Sequence, residues 1–274
     1  MTSLDRRSAL LLGVLASLGG DALAAQPPSA PAQSTEPVHD MHAAPAAWTR
    51  ADEIAMLVYP RMTALDLIGP QYMFASLMGA RVHLVAKRKE LVITDTGVGI
   101  MPTATFDDCP KDLNVLVAPG GTDGTLAAMQ DPETRAFMAD RGQRARYVTS
   151  VCTGSLILGA AGLLKGLKAT SHWAALASLA EFGAIPTDER VVRDGNRITG
   201  AGVTAGLDFG LVMAAELRSP DYAQNLQLLC EYDPHPPYNA GSMRTAPLEV
   251  QATMRRMFSA FPERVHKVAQ NLKS

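Results

Sequence analysis

The residues best equipped for chemistry stand at Ser150-Val151-Cys152-Thr153-Gly154-Ser155, where a cysteine falls on the tight turn between a buried apolar run and the helical run after it. A side chain so placed is pushed out at the top of a sheet, the geometry of a nucleophile elbow. A helix starting just past Cys152 aims its unpaired N–H groups and positive dipole end at the sulfur, which predicts a lowered thiol pKa. A buried structural cysteine fits the same position. Gly154 and Ser155 are small enough for the chain to turn sharply and for a substrate to come close.

Three other segments could serve that cysteine. Pro119-Gly120-Gly121-Thr122 follows an apolar run. Glycines there can leave backbone N–H groups facing a developing negative charge, and with the Thr153 N–H they would make an oxyanion hole. A type II turn explains the same glycines, whereas a phosphate loop does not, since no Gly-Lys-Ser/Thr follows. Asp66 stands among apolar neighbours in Thr63-Ala64-Leu65-Asp66-Leu67-Ile68-Gly69-Pro70. Burial would raise its pKa and suit it to proton transfer, while a helix N-cap is the other role open to it. His172, in Ala169-Thr170-Ser171-His172-Trp173, could orient or activate the cysteine or pack beside Trp173.

Alternating strands and helices must position these segments. Ile54 to Tyr59, Val82 to Ala86, Leu91 to Thr94, Val115 to Ala118 and Tyr147 to Val151 read as strands, being short, apolar or bounded by turn residues. Pro70 to Met78 reads as a helix with Pro70 in its first turn. Leu126 to Met129, Glu133 to Arg144, Thr153 to Leu164 (ended by Gly166) and Thr204 to Leu217 read as further helices. Parallel strands joined by helices predict an α/β three-layer sandwich with a mostly parallel central sheet, whose ligand sits at the carboxyl ends of the strands. Asp66, Gly120-Gly121 and Cys152 converge there. Arg190 to Ile198 reads as a hairpin turned at Asp194-Gly195-Asn196, and the chain past Pro220 as two or three helices split between Pro234 and Pro247.

The 274 residues, 47% hydrophobic and 19% charged, suffice for one large domain with a single core. A net charge of −2 and 5% aromatics argue against nucleic acid or an anionic membrane as partner and for a small-molecule substrate. Arg6 and Arg7 precede the apolar run Ala9 to Leu18, too short to span a bilayer, which needs roughly 20 residues. Ala22-Leu23-Ala24-Ala25 follows as a small-x-small cleavage pattern. Residues 1–25 therefore read as a secretory signal. The arginine pair points to the twin-arginine route and a periplasmic location, although Ala9 stands where that motif carries a bulky apolar residue. Residues 26–50, rich in Pro, Ala, Ser and Gln, read as a flexible linker. The His39-Asp40-Met41-His42 cluster within them reads as solvated rather than metal-binding. Of Cys109, Cys152 and Cys230, the odd count leaves at least one thiol free.

Over about residues 52–247 the chain resembles the ThiJ/PfpI superfamily, which has a flavodoxin-like, glutamine-amidotransferase-like fold. The resemblance rests on Leu65 to Pro70, Pro119 to Thr122, Ala145 to Thr149 running into the elbow, Leu158 to Leu164, Arg190 to Asn196 and Pro236 to Ser242. It is to the branch that hydrates isonitriles. That resemblance implies Cys152 as nucleophile, Asp66 as its acid/base partner, and backbone support from Gly121 and Thr153. It further implies Gly120 and Val203 in the pocket, His172 as an auxiliary, no metal or organic cofactor, and a homodimer. Other branches carry a glutamate where Asp66 stands, and the peptidase-like branch a histidine where Thr153 stands. The implied reaction is attack of Cys152 on the terminal carbon of an isonitrile, protonation through Asp66 to a thioimidate, and hydrolysis to a formamide. Two alternatives remain: a glyoxalase- or deglycase-like enzyme acting on reactive carbonyls, and a ligand-sensing module like the N-terminal half of AraC-type regulators. The 27 residues after Pro247 are too few for the DNA-binding domain of such a regulator. Residues 51–247 are thus expected to form the catalytic domain and residues 248–274 a helical tail.

Overall fold

The computed structural model describes residues 44–273. The expected signal over 1–25, the linker as far as residue 43 and the His39-Asp40-Met41-His42 cluster lie outside the described residues. From the N-terminal end come β1 (Glu53–Leu57), α1 (Ala64–Ala75), β2 (Arg81–Ala86), β3 (Val92–Ile93), β4 (Gly99–Ile100), β5 (Ala104–Thr105) and β6 (Val115–Ala118). Next follow α2 (Asp123–Gln130), α3 (Pro132–Arg144), β7 (Tyr147–Val151), α4 (Gly154–Ala160), β8 (Lys168–Ala169) and β9 (Ile185–Pro186). The chain ends with β10 (Val191–Asp194), β11 (Arg197–Gly200), α5 (Ala205–Leu217), α6 (Pro220–Leu229), α7 (Leu248–Met257) and α8 (Ala260–Asn271).

Seven strands form one sheet in the order β10-β11-β7-β6-β1-β2-β5, and every pairing is parallel except β10 with β11. The central strands β6 and β7 are runs of apolar and small residues, every one of them buried, and β1 is buried from Ile54 onward. Burial on both faces is what a parallel sheet covered by helices requires. The mostly parallel α/β sandwich expected from the alternation is therefore the fold. No helix among the described residues is long and apolar enough to cross a membrane.

Three boundaries differ from those read in sequence. The first helix starts at Ala64 rather than Pro70, which stands inside it. Its start is capped from a distance: Asp95 accepts the Thr63 hydroxyl at 2.7 Å and the Ala64 N–H at 3.4 Å. Pro70 removes an internal helical hydrogen bond, and its ring packs against α5, where a Cβ on Gly206 would lie 3.1 Å from it. The helix after Cys152 ends at Ala160, not near Gly166. Gly162 turns left-handed with φ 76°, and the Leu163 and Gly162 N–H groups bond back to the Leu158 and Gly159 carbonyls, a Schellman stop. The apolar run at Leu91 to Thr94 leaves the main sheet and pairs as a two-stranded ribbon, β3 with β4.

The tail is packed onto the domain rather than hanging from it. Helix α8 buries Phe261, Val265, Val268 and Ala269 and lies in one compact unit with the sheet. The start of the domain is clamped by Arg218, whose side chain is 1% exposed and which pairs with the fully buried Asp52. The same guanidinium donates to the carbonyls of Trp48, Arg50 and Met78. Asp52 keeps a second, more exposed partner in Arg50 at 2.8 Å, but losing Arg218 removes its buried partner and the donor shared by three carbonyls. Arg218→Ala is therefore expected to lower the unfolding free energy by about 3–5 kcal/mol. Urea titration checks this, and a loss below about 1 kcal/mol would show the pair to be dispensable.

Candidate functional site

Cys152 directly follows β7 with φ 60°, a left-handed conformation costly for a residue with a side chain. Four hydrogen bonds hold it there. Its N–H donates to the carbonyls of Gly200 (3.1 Å) and Ala201 (2.7 Å). Its own carbonyl accepts from the hydroxyls of Ser155 (3.2 Å) and Ser171 (3.1 Å). The expected elbow is thus present, fixed by the neighbouring strand end as well as by its own turn.

Asp66 occupies the first turn of α1 and is fully buried. Its Oδ2 accepts the Gly120 N–H at 3.0 Å, while Oδ1 has no hydrogen-bond partner. Burial pushes its pKa up to about 7; the Cys152 thiol and the Gly120 N–H beside it pull the other way, and the charge of Asp95 adds to the rise. Asp66 does not cap the helix, since Asp95 does so. Gly120 sits where these parts meet: a Cβ there would lie 2.5 Å from the Thr153 nitrogen and 2.8 Å from Asp66 Oδ2.

Two electrostatic expectations need correction. The thiol of Cys152 is not lowered: burial pushes it well above its usual value, and the adjacent Asp66 pushes it further. The N–H and hydroxyl of Thr153 act in the opposite direction, but the short helix α4 does not outweigh desolvation. The site therefore rests as a neutral thiol beside a carboxyl that titrates near neutrality. The second correction concerns Gly121, whose N–H donates to Thr153 Oγ1 at 2.8 Å. That leaves Thr153, not Gly121, as the residue offering a backbone donor to the sulfur.

Tyr59 and Thr125 belong to this arrangement and escaped the sequence reading. The Tyr59 hydroxyl donates to the Pro119 carbonyl at 2.8 Å and lies 3.1 Å from the Thr125 hydroxyl. Thr125 in turn lies 3.0 Å from the Thr153 hydroxyl, which donates to the Gly121 carbonyl. This buried file of hydroxyls pins the Pro119–Gly121 loop to the elbow. Its members are 66 and 28 residues apart, so no local spacing betrays it.

His172 is half-buried and makes no hydrogen bond to Cys152. Its Nδ1 accepts the Ala174 N–H at 3.3 Å, and burial lowers its pKa, so the ring is neutral at physiological pH. It lines a cavity of about 330 Å³ together with Trp173, Ala201, Val203 and Met243. Val203 lines that cavity, whereas Gly120 lies at the Asp66–Thr153 contact. A larger cleft, about 490 Å³, runs between the ends of β1 and β2 and helix α2. It shares only Tyr59 with the site, and we place the candidate chemistry at the smaller cavity, beside the elbow.

A parallel α/β sandwich with a cysteine on a strained elbow beside a buried carboxyl defines a nucleophile-elbow protein. The profile of the DJ-1/PfpI family matches residues 52–216, and the chain belongs to that family. It is 50% identical over 204 residues to an isonitrile hydratase of Pseudomonas putida, covering 74% of this chain and 89% of the relative. A crystal structure of a ThiJ/PfpI family protein from Pseudomonas syringae superposes with a TM-score of 0.80 at 59% identity, covering 90% of this chain and 98% of that one. The HTH-type transcriptional regulator GbdR of Pseudomonas aeruginosa is 30% identical over 166 residues, which are 58% of this chain and 44% of the regulator.

A carboxyl whose pKa is raised by folding favours the folded state at low pH, where it is neutral, and costs stability as pH climbs from the unfolded value of 3.8 through about 7. Asp66→Asn removes that cost. The variant is expected to match wild type near pH 4 and to gain on it by about 4 kcal/mol by pH 8. Urea titrations at both pH values check this; an equal difference at the two would mean that Asp66 does not titrate in this range.

Proposed function

We propose that the protein hydrates isonitriles to N-substituted formamides, with Cys152 as nucleophile and Asp66 as proton carrier. The observation that carries this reading is the buried Cys152–Asp66 pair, in which a carboxyl with one unpartnered oxygen and a pKa near 7 adjoins an un-ionised thiol. The terminal carbon of an isonitrile must receive a proton and a nucleophile at the same atom, and one acid/base beside one thiol supplies both.

In the first step ionised Asp66 takes the thiol proton as sulfur bonds to the isonitrile carbon, then delivers it to that carbon. The product is a thioimidate, R–N=CH–S–Cys152. Asp66 next draws a proton from water, whose oxygen adds to the same carbon while the nitrogen is protonated. Collapse of the adduct breaks the carbon–sulfur bond, returns a proton to Cys152 and releases R–NH–CHO. No acyl oxyanion forms in the first step. That accords with a site where the Gly121 N–H is already committed and Thr153 alone faces the sulfur. The 50% identity to an isonitrile hydratase supports the same chemistry.

The test is incubation of residues 26–274 with cyclohexyl isonitrile, with formamide production followed directly. Cys152→Ala and Asp66→Asn are each expected to lower kcat/KM by more than about a hundredfold. Because Asp66 must be ionised to accept the thiol proton, wild-type kcat/KM should fall about tenfold per unit as pH drops below 7. Turnover of methylglyoxal with no formamide produced would favour the carbonyl reading instead.

The same reading includes export and pairing. Residues 1–25 carry the features of a twin-arginine signal, and a domain that folds before export has no need of disulfides; all three cysteines are free thiols. Helix α1 presents Leu65, Ile68 and Tyr72 on one stripe, each more than 40% exposed, a face suited to a second copy of the chain. Expressed at full length in a bacterium, the protein is expected in the periplasmic fraction, shortened to begin near Gln26 and with twice the chain mass in light scattering. Retention at full length in the cytosol would overturn export, and a single-chain mass would overturn the dimer.

A further inference from the structure

Hydration at Cys152 concerns one carbon of the substrate and says nothing of what holds the N-substituent. The lining of the cavity beside the elbow includes Ser171 and Ala201, the residues that bond to the carbonyl and the N–H of Cys152. Its side walls carry Trp173, Val203 and Met243. The neutral ring of His172 lies 5.2 Å from that of Trp173, and both pack against Phe258, the first tilted at 5.8 Å and the second edge-on at 5.4 Å. Phe258 stands between α7 and α8, and Met243 precedes α7, so both come from beyond the segment matched to the family, 52–216. The arginines at the mouth are engaged, Arg244 with Asp188 and Arg190 with Asp208.

We infer that the C-terminal segment reads the N-substituent: Phe258 braces the His172–Trp173 wall and Met243 closes the opposite side, so that the cavity selects compact, uncharged alkyl or aryl groups. This rests on the hydratase reading and names the substrate class for it. An aromatic wall and a flexible methionine give contact area without fixed polarity, and the paired arginines, with the carboxylate of Glu189 in the same lining, leave nothing to hold an anionic substituent. Phe258 is a positioning residue here, acting through Trp173 and His172.

The test has two arms. In the first, KM is measured for methyl and cyclohexyl isonitrile with wild type, Phe258→Ala, Phe258→Tyr and Met243→Ala. Phe258→Ala is expected to raise KM for the cyclohexyl substrate roughly three- to tenfold more than for the methyl one. The change should lie in KM rather than kcat, with rescue by Phe258→Tyr and a parallel bias from Met243→Ala. Equal effects on both substrates, or none, would overturn the inference. The second arm needs no turnover: N-cyclohexylformamide is titrated against Cys152→Ala in a Trp48→Phe background, where Trp173 is the remaining tryptophan. Quenching that is stronger than with N-methylformamide and weakened by Phe258→Ala supports the pocket even if wild type makes no formamide, in which case only the hydratase reading falls. Quenching indifferent to ligand bulk overturns the pocket.

Discussion

Everything at this site depends on the contact between Asp66 Oδ2 and the Gly120 N–H. It joins the first turn of α1 to the loop after β6, and that loop is itself pressed against the Thr153 nitrogen past the elbow. Three strand ends therefore meet within van der Waals distance at a residue that tolerates no side chain. The contact also explains how a carboxyl can be fully buried. One N–H satisfies one oxygen, and the remaining cost of desolvation appears as a pKa near neutrality rather than as an unfolded helix. The second oxygen, left without a partner, is then the one free to exchange a proton.

The surroundings bear this cost because they are rigid. The elbow backbone is held by β11 on one side and by two serine hydroxyls on the other, and the loop that carries Gly120 is pinned by the Tyr59–Thr125–Thr153 file. Both devices sit at the ends of strands buried on two faces. Strain of about 1–3 kcal/mol at Cys152 persists in such a frame, since relaxing it would break several buried hydrogen bonds at once. The strained residue and the perturbed carboxyl are thus two consequences of one packing arrangement.

What was legible in the sequence follows from the same physics. Strands such as β6 and β7 announce themselves as apolar runs because both of their faces are buried, and the elbow is legible because a cysteine follows directly on such a run. The start of α1 is not, because its cap is Asp95, about thirty residues away in sequence. Proline at position 70 is then an ambiguous sign, a helix start by its statistics and an interior residue by its packing on α5. Gly162 and Gly166 both turn left-handed, and α4 stops at the earlier of the two, where the Gly162 and Leu163 N–H groups bond back to the Gly159 and Leu158 carbonyls. The sign of the Cys152 shift was misread for a related reason. A helix N-terminus is visible in sequence, whereas the depth of burial that outweighs it is not. Tyr59 and Thr125 carry no local mark at all.

That sign has chemical consequences. A low-pKa exposed thiolate suits a polar acyl substrate, whose transition state brings an oxyanion and needs donors to hold it, but it is also the form most readily oxidised. A neutral thiol in an apolar, closed site is poorly matched to that work and well matched to a substrate that is itself apolar and uncharged, brings no leaving group and must acquire a proton with the sulfur. The proton that burial keeps on Cys152 is the proton such a substrate requires, and Asp66 at a pKa near 7 moves it without a large penalty in either direction. Burial of the thiol also shields it from oxidation. Desolvation, which counts against this cysteine as a general nucleophile, is therefore what makes it specific.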